Sequence, residues 1–564
     1  MKSKFIYPLI LFVLIIPAFW FLLKPGIYWN MHDDMQLIRQ MEMEKCLKDG
    51  QIPCRWTPDL GYGYGYPLFN FYPPLPYYVG QVYREIGFSF VETIKYTAIL
   101  QFVFSAFAMY LLASSLFGPI GGLLSALFYT YAPYHALNIY VRGAMNEAWA
   151  SVFFPLILYF SKKYIDQKHP SSLIFLSISF SFLMLSHNPM VLIFAPITLL
   201  WSIYWILQQK TKLWFSIIRN LSFSALLAFG LSAYFTLPVI FESKLVQIES
   251  MFTNYYHFSI HFASLKQLFI SNFWGEGPSV WGTNDGMSFA IGYLQWIIPF
   301  SISAYILFKL VISHKLSKLE IITFLTILCG LFTTFLSHER STFIWLLITP
   351  LQKIQFPWRL LNITTFLFSF SVGYLGYLIA KTNTKIRSLS ILIIVSLLIA
   401  LNISHFTPVK SGPITDSQKF SGVAWTNQVT GGIYDYLPKT ASTAAKAPAK
   451  EYLDEISPAN TKYLLTGQKK GTDWMFFNIN LSSPASIYLP LLGFPKFSLN
   501  VDGQKHDYEI EPLLGRISIT LDSGQHQIYI KLTNTPIRNI GNSITVLALL
   551  ITVSSLYIIW KKKN

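Results

Sequence analysis

The sequence predicts a polytopic α-helical membrane protein that carries a β-sandwich near its C-terminus. Of 564 residues, 53% are hydrophobic and only 12% are charged, against roughly 25% charged in soluble domains. About twelve apolar segments of spanning length punctuate the chain. Between 486 and 532, short segments alternate with period two and are separated by the turn signals Asp502-Gly503 and Ser523-Gly524, which marks a sandwich. The formal charge of +16 does not point to nucleic acid, because Lys and Arg concentrate in short loops and tails between apolar runs. Basic residues there orient a membrane protein.

The first apolar segment, 5–23, follows Lys2 and Lys4, and Pro25-Gly26 beyond it offers no small-x-small cleavage pattern. It therefore reads as a retained helix whose start is cytoplasmic. Further spans are expected near 92–116, 119–134, 146–161, 171–187, 189–206, 214–241, 288–308, 320–337, 359–380, 387–404 and 540–560, the third span being the shortest. Counting alternately, Lys162-Lys163, Lys210 with Lys212, Lys309 with Lys315 and Lys318, Lys381 with Lys385 and Arg387, and Lys561-Lys562-Lys563 all fall on one side. Both termini are then cytoplasmic, and 24–91, 243–287, 338–358 and 405–539 lie outside, where long loops carry chemistry. The expected organisation in the cell membrane is a transmembrane domain over 1–404, an extracytoplasmic β-rich domain over 405–539, and a final helix with a basic tail over 540–564.

In the first outer segment, Met31, Met35, Ile38 and Met41 recur at helical spacing, with Arg39, Glu42 and Lys45 on other faces. This predicts an amphipathic helix from Met31 to Lys48 lying along the membrane surface and ending at Asp49-Gly50. The glycine, proline and tyrosine density of 61–67 and 70–78 suits an irregular loop that packs rings against a sugar or lipid head group, or an interfacial aromatic belt. Cys46 and Cys54 are spaced so that a disulfide is permitted but not imposed, while Cys329 lies within an apolar span. Thr440 to Lys450 is low in complexity and reads as a flexible loop.

Chemistry gathers at the outer ends. His32-Asp33-Asp34 follows the first span, and carboxylates beside lipid cost desolvation energy unless they meet water, a cation or a polar ligand. Either acid could instead cap the helix that starts there. Arg142 and Arg359 stand at outer helix ends, where a guanidinium can grip a phosphate through two parallel hydrogen bonds, snorkel, or pair with Glu147. His187 and Asn188 end a helix on the same face, and Glu276 and Asp285 lie in a glycine-rich loop ahead of the eighth span.

His32-Asp33, the run Gly63 to Leu75, Tyr140-Val141-Arg142-Gly143-Ala144, Ser186-His187-Asn188, Asp285 to Phe289, Gln355 to Leu361 and Thr535 to Asn539 together resemble, over nearly the whole chain, a bacterial membrane-protein family. That family carries the label "6-pyruvoyl-tetrahydropterin synthase-related". The histidines here are scattered, whereas the soluble pterin enzyme groups three of them around zinc. The architecture is similar to the GT-C class of integral membrane glycosyltransferases, which place an acidic motif in the first outer loop ahead of an amphipathic helix. What that resemblance implies is inverting transfer, outside the cytoplasmic membrane, of a sugar from a polyprenyl-phosphate donor to a glycan, lipid or protein acceptor, with no nucleic acid involved. It implies Asp33 as base and Asp34 as second carboxylate or as ligand of a divalent cation, Mg²⁺ or Mn²⁺. His32, Arg142, Glu147, His187, Asn188, Glu276, Asp285 and Arg359 would surround the donor phosphate and sugar. The rival readings are a transporter or flippase of a lipid-linked glycan, for which internal repeats or midplane charges would be expected, and a non-catalytic scaffold of envelope assembly.

The topology has a direct test. A cysteine introduced at Ser442 should react with an impermeant thiol reagent in intact cells, and one introduced at Lys562 should not. The reverse pattern would overturn the sidedness.

Overall fold

In lipid a backbone must satisfy its own hydrogen bonds, so apolar segments of this length fold as helices. The computed structural model describes residues 3–280, 282 and 285–563. Its principal helices are α1 (Ser3–Phe19), α2 (Gln36–Lys48), α3 (Phe90–Thr130), α4 (Met145–Gln167), α5 (Pro170–Met184), α6 (Asn188–Leu207), α7 (Trp214–Glu242), α8 (Tyr293–Ser313), α9 (Lys318–Leu336), α10 (Leu361–Ala380), α11 (Thr384–Asn402) and α12 (Pro536–Lys563). The molecule is a polytopic helical membrane protein with a C-terminal β domain. Nine helices among the described residues are long and apolar enough to cross a membrane. The predicted segments 92–116 and 119–134 are two rods of α3, separated at Gly118, which lies at φ 76° just before Pro119. The segment 171–187 forms α5, with 15 residues.

Small residues draw the helices together, because in lipid close backbone approach is a main source of attraction. A Cβ on Gly376 would lie 2.6 Å from Gly121 Cα, and one on Gly121 would lie 2.6 Å from Gly373 O, so α10 and the second rod of α3 meet backbone to backbone. The lysine-bearing helix ends assemble at one end of the bundle. There Tyr204 Oη donates to Lys318 O at 2.9 Å, Asn220 Nδ2 donates to Tyr164 Oη at 2.6 Å, and Lys309 and Tyr374 converge on buried Glu320. The long polar segments expected outside gather at the opposite end.

The first of them is a platform and not a surface strip. β1 (Ile27–Trp29) pairs antiparallel with β2 (Ser411–Pro413), Tyr28 opposite Gly412, so chain beyond residue 404 returns to the first loop. The expected surface helix is corrected: α2 starts at Gln36 and is enclosed, with Leu37, Ile38, Met43 and Cys46 buried alongside Gln36, Arg39, Gln40 and Glu42. Its polar side chains find protein partners where water was expected, Gln40 Nε2 donating to Tyr77 O at 3.1 Å and Arg84 Nε to Glu44 at 2.5 Å. Periodicity alone cannot distinguish a face wetted by solvent from one satisfied by neighbouring chain.

The strands occupy a narrower range than the expected 405–539 domain. β3 (Glu455–Ser457), β4 (Tyr463–Lys470), β5 (Trp474–Leu481), β6 (Ala485–Leu492), β7 (Phe497–Val501), β8 (Gln504–His506), β9 (Glu509–Ile510), β10 (Arg516–Leu521) and β11 (Gly524–Leu532) form two antiparallel sheets, ordered β3-β6-β10-β9 and β4-β5-β11-β7-β8. Alternate residues face inward, as in Phe477 opposite Ile528 and Met475 opposite Ile530. Between α11 and the sandwich, short helices at Asp416–Lys419 and Gly422–Thr430 pack toward the first loop. Thr440 to Lys450 is ordered, contrary to its low complexity. Ser442 N donates to Leu513 O at 3.0 Å, Ala449 N donates to Tyr62 O at 3.0 Å, and Ala441 is buried, since short side chains let this backbone lie close against its neighbours.

Polar clamps join platform, sandwich and last helix. Asp49 accepts from Thr472 N at 2.6 Å and Thr472 Oγ1 at 2.8 Å, and Asp454 accepts from Tyr64 Oη at 3.0 Å and from Arg516 Nη1 at 2.7 Å. Buried Glu242, ending α7, accepts from Asn70 Nδ2 at 2.9 Å, Thr535 Oγ1 at 2.5 Å and Arg538 Nε at 2.9 Å. Replacing Arg538 with Met should therefore destabilise the protein by about 3–5 kcal/mol, because it strands a buried charge. The Glu242→Gln/Arg538→Met double variant should recover most of that loss, as read by thermal unfolding in detergent.

Candidate active site

Backbone pairing creates the site. His32 N donates to Val141 O and Asp33 N to Arg142 O, both at 2.9 Å. The approach requires Gly143, at φ 65°, where a Cβ would lie 2.2 Å from Met31 Sδ. An irregular turn at Leu137–Val141 leads into Arg142, and α4 then begins at Met145, which places Glu147 one turn inside the helix. Two motifs more than 100 residues apart in sequence thus become one edge of a cavity of about 1150 Å³.

Asn30, His32, Asp33, Asp34, Arg142, Glu147, His187, Asn188, Glu276 and Arg359 all line that cavity. Asp285 does not; its carboxylate accepts from Ser271 Oγ at 2.6 Å. Neither acid after the first span caps α2, whose N-cap is Met35 without a side-chain bond. Asp33 Oδ2 accepts from Arg39 Nη1 at 2.7 Å and from Gln36 Nε2 at 3.1 Å, whereas its Oδ1 has no partner among the described residues and opens on the cavity. Asp34 turns the other way, to an ion pair with Lys419, and burial pushes its carboxyl upward against the pull of that lysine.

The expected divalent-cation role does not fit these donors. The two carboxylates are each held by a basic side chain, and no three His, Cys, Asp or Glu side chains converge among the described residues.

Beside the acids stands a cationic pair built on one carboxylate. Glu147 is buried, accepts from Tyr134 Oη at 2.7 Å and Arg142 Nη1 at 2.9 Å, and lies 3.4 Å from Arg359 Nε. Arg359 Nη1 donates to Ile354 O at 2.8 Å and to Gln355 Oε1 at 2.7 Å. The stacked rings of Phe356 and Trp358 lie beneath the two guanidiniums, Arg359 4.7 Å from the Phe356 centroid and Arg142 4.4 Å from that of Trp358. The Nη2 groups of both arginines make no hydrogen bond among the described residues and remain available to an anion.

His187 caps α6, its Nδ1 accepting from Met190 N at 3.3 Å, which leaves the proton on Nε2 as a donor toward the cavity. His32 Nε2 donates to Glu276 O at 2.7 Å, and Glu276 itself is held by Lys410 at 2.8 Å and Asn30 at 3.0 Å. These two therefore tie the first loop to the 276–287 loop. Cys46 and Cys54 are bonded, with Cα atoms 5.4 Å apart, and close the end of α2 on the loop that follows. The aromatic run is largely interior: Tyr64, Tyr66, Phe69, Phe71 and Tyr77 are buried, and only Tyr66, Phe71 and Tyr72 also reach the cavity. Ring-rich sequence looks the same whether it faces a ligand or a protein core.

Sequence reasoning missed Arg39 as the partner of Asp33, Lys419 as the partner of Asp34, and a third acid, Asp435. The signal for Asp435 was its Gly431-Gly432 turn, overlooked inside a segment assigned to the β domain. Burial pushes the Asp435 carboxyl up to about 6, with Asp33 adding to the rise and Arg39 opposing it.

No family model matches the chain. An uncharacterized protein of Lactococcus lactis subsp. cremoris (strain MG1363) is 26% identical over 249 residues, 42% of this chain and 40% of that protein. Among solved structures, the single-particle cryo-EM structure of the arabinofuranosyltransferase AftD from mycobacteria aligns with a TM-score of 0.41 and 12% identity, over 73% of this chain and 28% of that one. The chain thus corresponds to less than half the length of each of these relatives.

A carboxyl raised to about 6 holds its proton more tightly in the folded state than in the unfolded one, so stability falls as pH rises from about 4 through 6. Asp435→Asn should accordingly stabilise the protein by up to about 3 kcal/mol above pH 6, and by little below pH 4. Thermal unfolding as a function of pH measures it; an equal effect at pH 4 and pH 7.5 would refute the assignment.

Proposed function

We propose that the protein is a membrane glycosyltransferase that moves a sugar, with inversion, from a polyprenyl-phosphate donor to a hydroxyl acceptor at the outer face of the cytoplasmic membrane. The observation that carries this reading is the joint placement, in one cavity beside the helix ends, of a carboxylate oxygen free to accept a proton and of two guanidiniums with free Nη2 groups. Transfer of this kind needs a base for the acceptor proton and positive charge for the departing phosphate. The acceptor oxygen attacks the anomeric carbon, the bond from that carbon to the phosphate oxygen breaks with its electron pair going to phosphate, and Asp33 Oδ1 takes the proton. Arg39 and Gln36 hold the other oxygen of Asp33, which fixes the direction from which the proton is taken.

Arg142 and Arg359 would bind the donor phosphate, with His187 Nε2 donating beside them and Asn188 and Glu276 facing the sugar. The sidedness of this reading is supported by the basic helix ends lying at the far end of the bundle from the cavity.

Asp33→Asn keeps both bonds to its neighbours yet cannot accept a proton, so turnover of lipid-linked sugar in membranes should fall about 10²-fold or more with the fold intact. Arg359→Lys should instead weaken donor binding by about tenfold, since it removes the Nη2 donor while leaving Arg142 to neutralise Glu147. Near wild-type turnover by the Asp33→Asn protein would sink the mechanism.

A further inference from the structure

Besides Asp34, which Lys419 engages, the cavity contains a second carboxylate that the proposed reaction does not use. Asp435 lines it, and its side chain accepts no hydrogen bond among the described residues. Its position is built by the turn before it. Gly431 packs so tightly that a Cβ would lie 2.8 Å from Met35 Sδ and 2.9 Å from Asn427 O. Gly432, at φ 60°, accepts from Asp435 N at 2.9 Å, and a Cβ on it would lie 2.8 Å from Asp435 Oδ2. The next residue, Tyr436, is buried and stacked on Phe71 at 5.9 Å, with the rings of Tyr66 and Tyr72 within 6.5 Å. Two glycines, the first of them packed on Met35, and an anchored ring thus hold this acid at the cavity wall. A carboxylate that stands partly exposed on the wall of a polar cavity, with no protein donor among the described residues, is available to a ligand that brings donors of its own.

The groups facing Asp435 are Asp33, Arg39 and Tyr66 from the first outer segment, Tyr256 from the 243–287 segment, and Tyr436 beside it. Arg39 is already engaged by Asp33 and by Tyr72 Oη, at 2.7 and 2.9 Å. An anion would be repelled by Asp33, and a cation by the positive charge of Arg39. A neutral polyol has neither difficulty: its hydroxyls donate to a carboxylate, and the rings of Tyr72, Tyr255 and Tyr256 on the cavity wall offer faces for its C–H edges.

We propose that Asp435 is the carboxylate that binds the sugar acceptor, accepting hydrogen bonds from its hydroxyl groups and presenting one of them to Asp33. The proposal rests on the glycosyltransferase reading and adds an acceptor subsite contributed by the chain between α11 and the sandwich. Because the ionised form is the better acceptor, acceptor affinity rises with pH through about 6.

The test uses the full-length protein in nanodiscs, with methyl glycosides of glucose, galactose and mannose as neutral acceptor probes and saturation-transfer NMR as the readout. Binding of at least one of them should strengthen about tenfold between pH 5 and pH 7.5, the change in the ionised fraction of a group titrating near 6. Asp435→Asn should abolish that pH dependence. Gly432→Ala, which displaces the carboxylate without removing it, should weaken binding at pH 7.5 in protein whose thermal unfolding remains cooperative. Donor consumption by the same preparations separates the two readings. Glycoside binding that depends on Asp435, in protein that consumes no polyprenyl-phosphate sugar, would overturn the transferase reading and leave the subsite standing. Absence of glycoside binding to the wild-type protein, or binding that Asp435→Asn leaves unchanged at both pH values, would overturn the subsite. In protein that turns over, a fall in kcat for Asp435→Asn with KM unchanged would likewise overturn it, since that pattern belongs to a base and not to an acceptor-binding group.

Discussion

Two guanidinium groups can stand side by side at the edge of a membrane only because Glu147 lies buried between them. Taken out of water, Arg142 and Arg359 would repel each other, and one carboxylate with three polar neighbours offsets much of that cost. The remaining Nη2 groups are then free for an anion, and the net positive charge of the triad faces the cavity. The same dependence explains why the arginines are poor targets for simple truncation. Removing Arg142 would leave Glu147 with weaker compensation from Arg359 and would disturb the fold along with any ligand contact.

The neighbouring acids are positioned by different means. Asp33 is fixed by backbone pairing of the first loop with the Arg142 turn, and this pairing needs the bare backbone of Gly143. Its orientation is set by Arg39 on a helix that the platform largely encloses. Rigidity of that platform has several sources: the sandwich clamped through Asp49 and Asp454, the last helix clamped through Glu242 and Arg538, and aromatic rings interleaved with the strands. A reacting centre gains from such preorganisation, because groups already held in place have little reorganisation left to make in the transition state.

Much of the site was legible in the primary structure, for a physical reason. Ionisable residues at helix ends are costly in lipid, so Asp33, Arg142, Glu147, His187 and Arg359 stood out against an apolar background. The same contrast failed in the outer segments, where every surface is polar enough to hide a functional group. Asp285 looked equivalent to Glu276 and proved to bond Ser271, and Asp435 looked like part of a β domain and lines the cavity. The helical spacing after Asp34 was real, yet it predicted a wetted face that the fold covers with chain.

What the sequence determined by itself was the membrane class, the helical segments, the period-two sandwich and the residues whose charge is too costly to be accidental. These follow from local composition and period, which each segment carries without reference to any other. Only the tertiary structure decided that the 411–436 chain returns to the first loop, that Lys419 and Arg39 separate the two adjacent acids, and that Asp435 joins Asp33 in one cavity. Those outcomes depend on contacts between segments hundreds of residues apart, and no period within either segment encodes its partner.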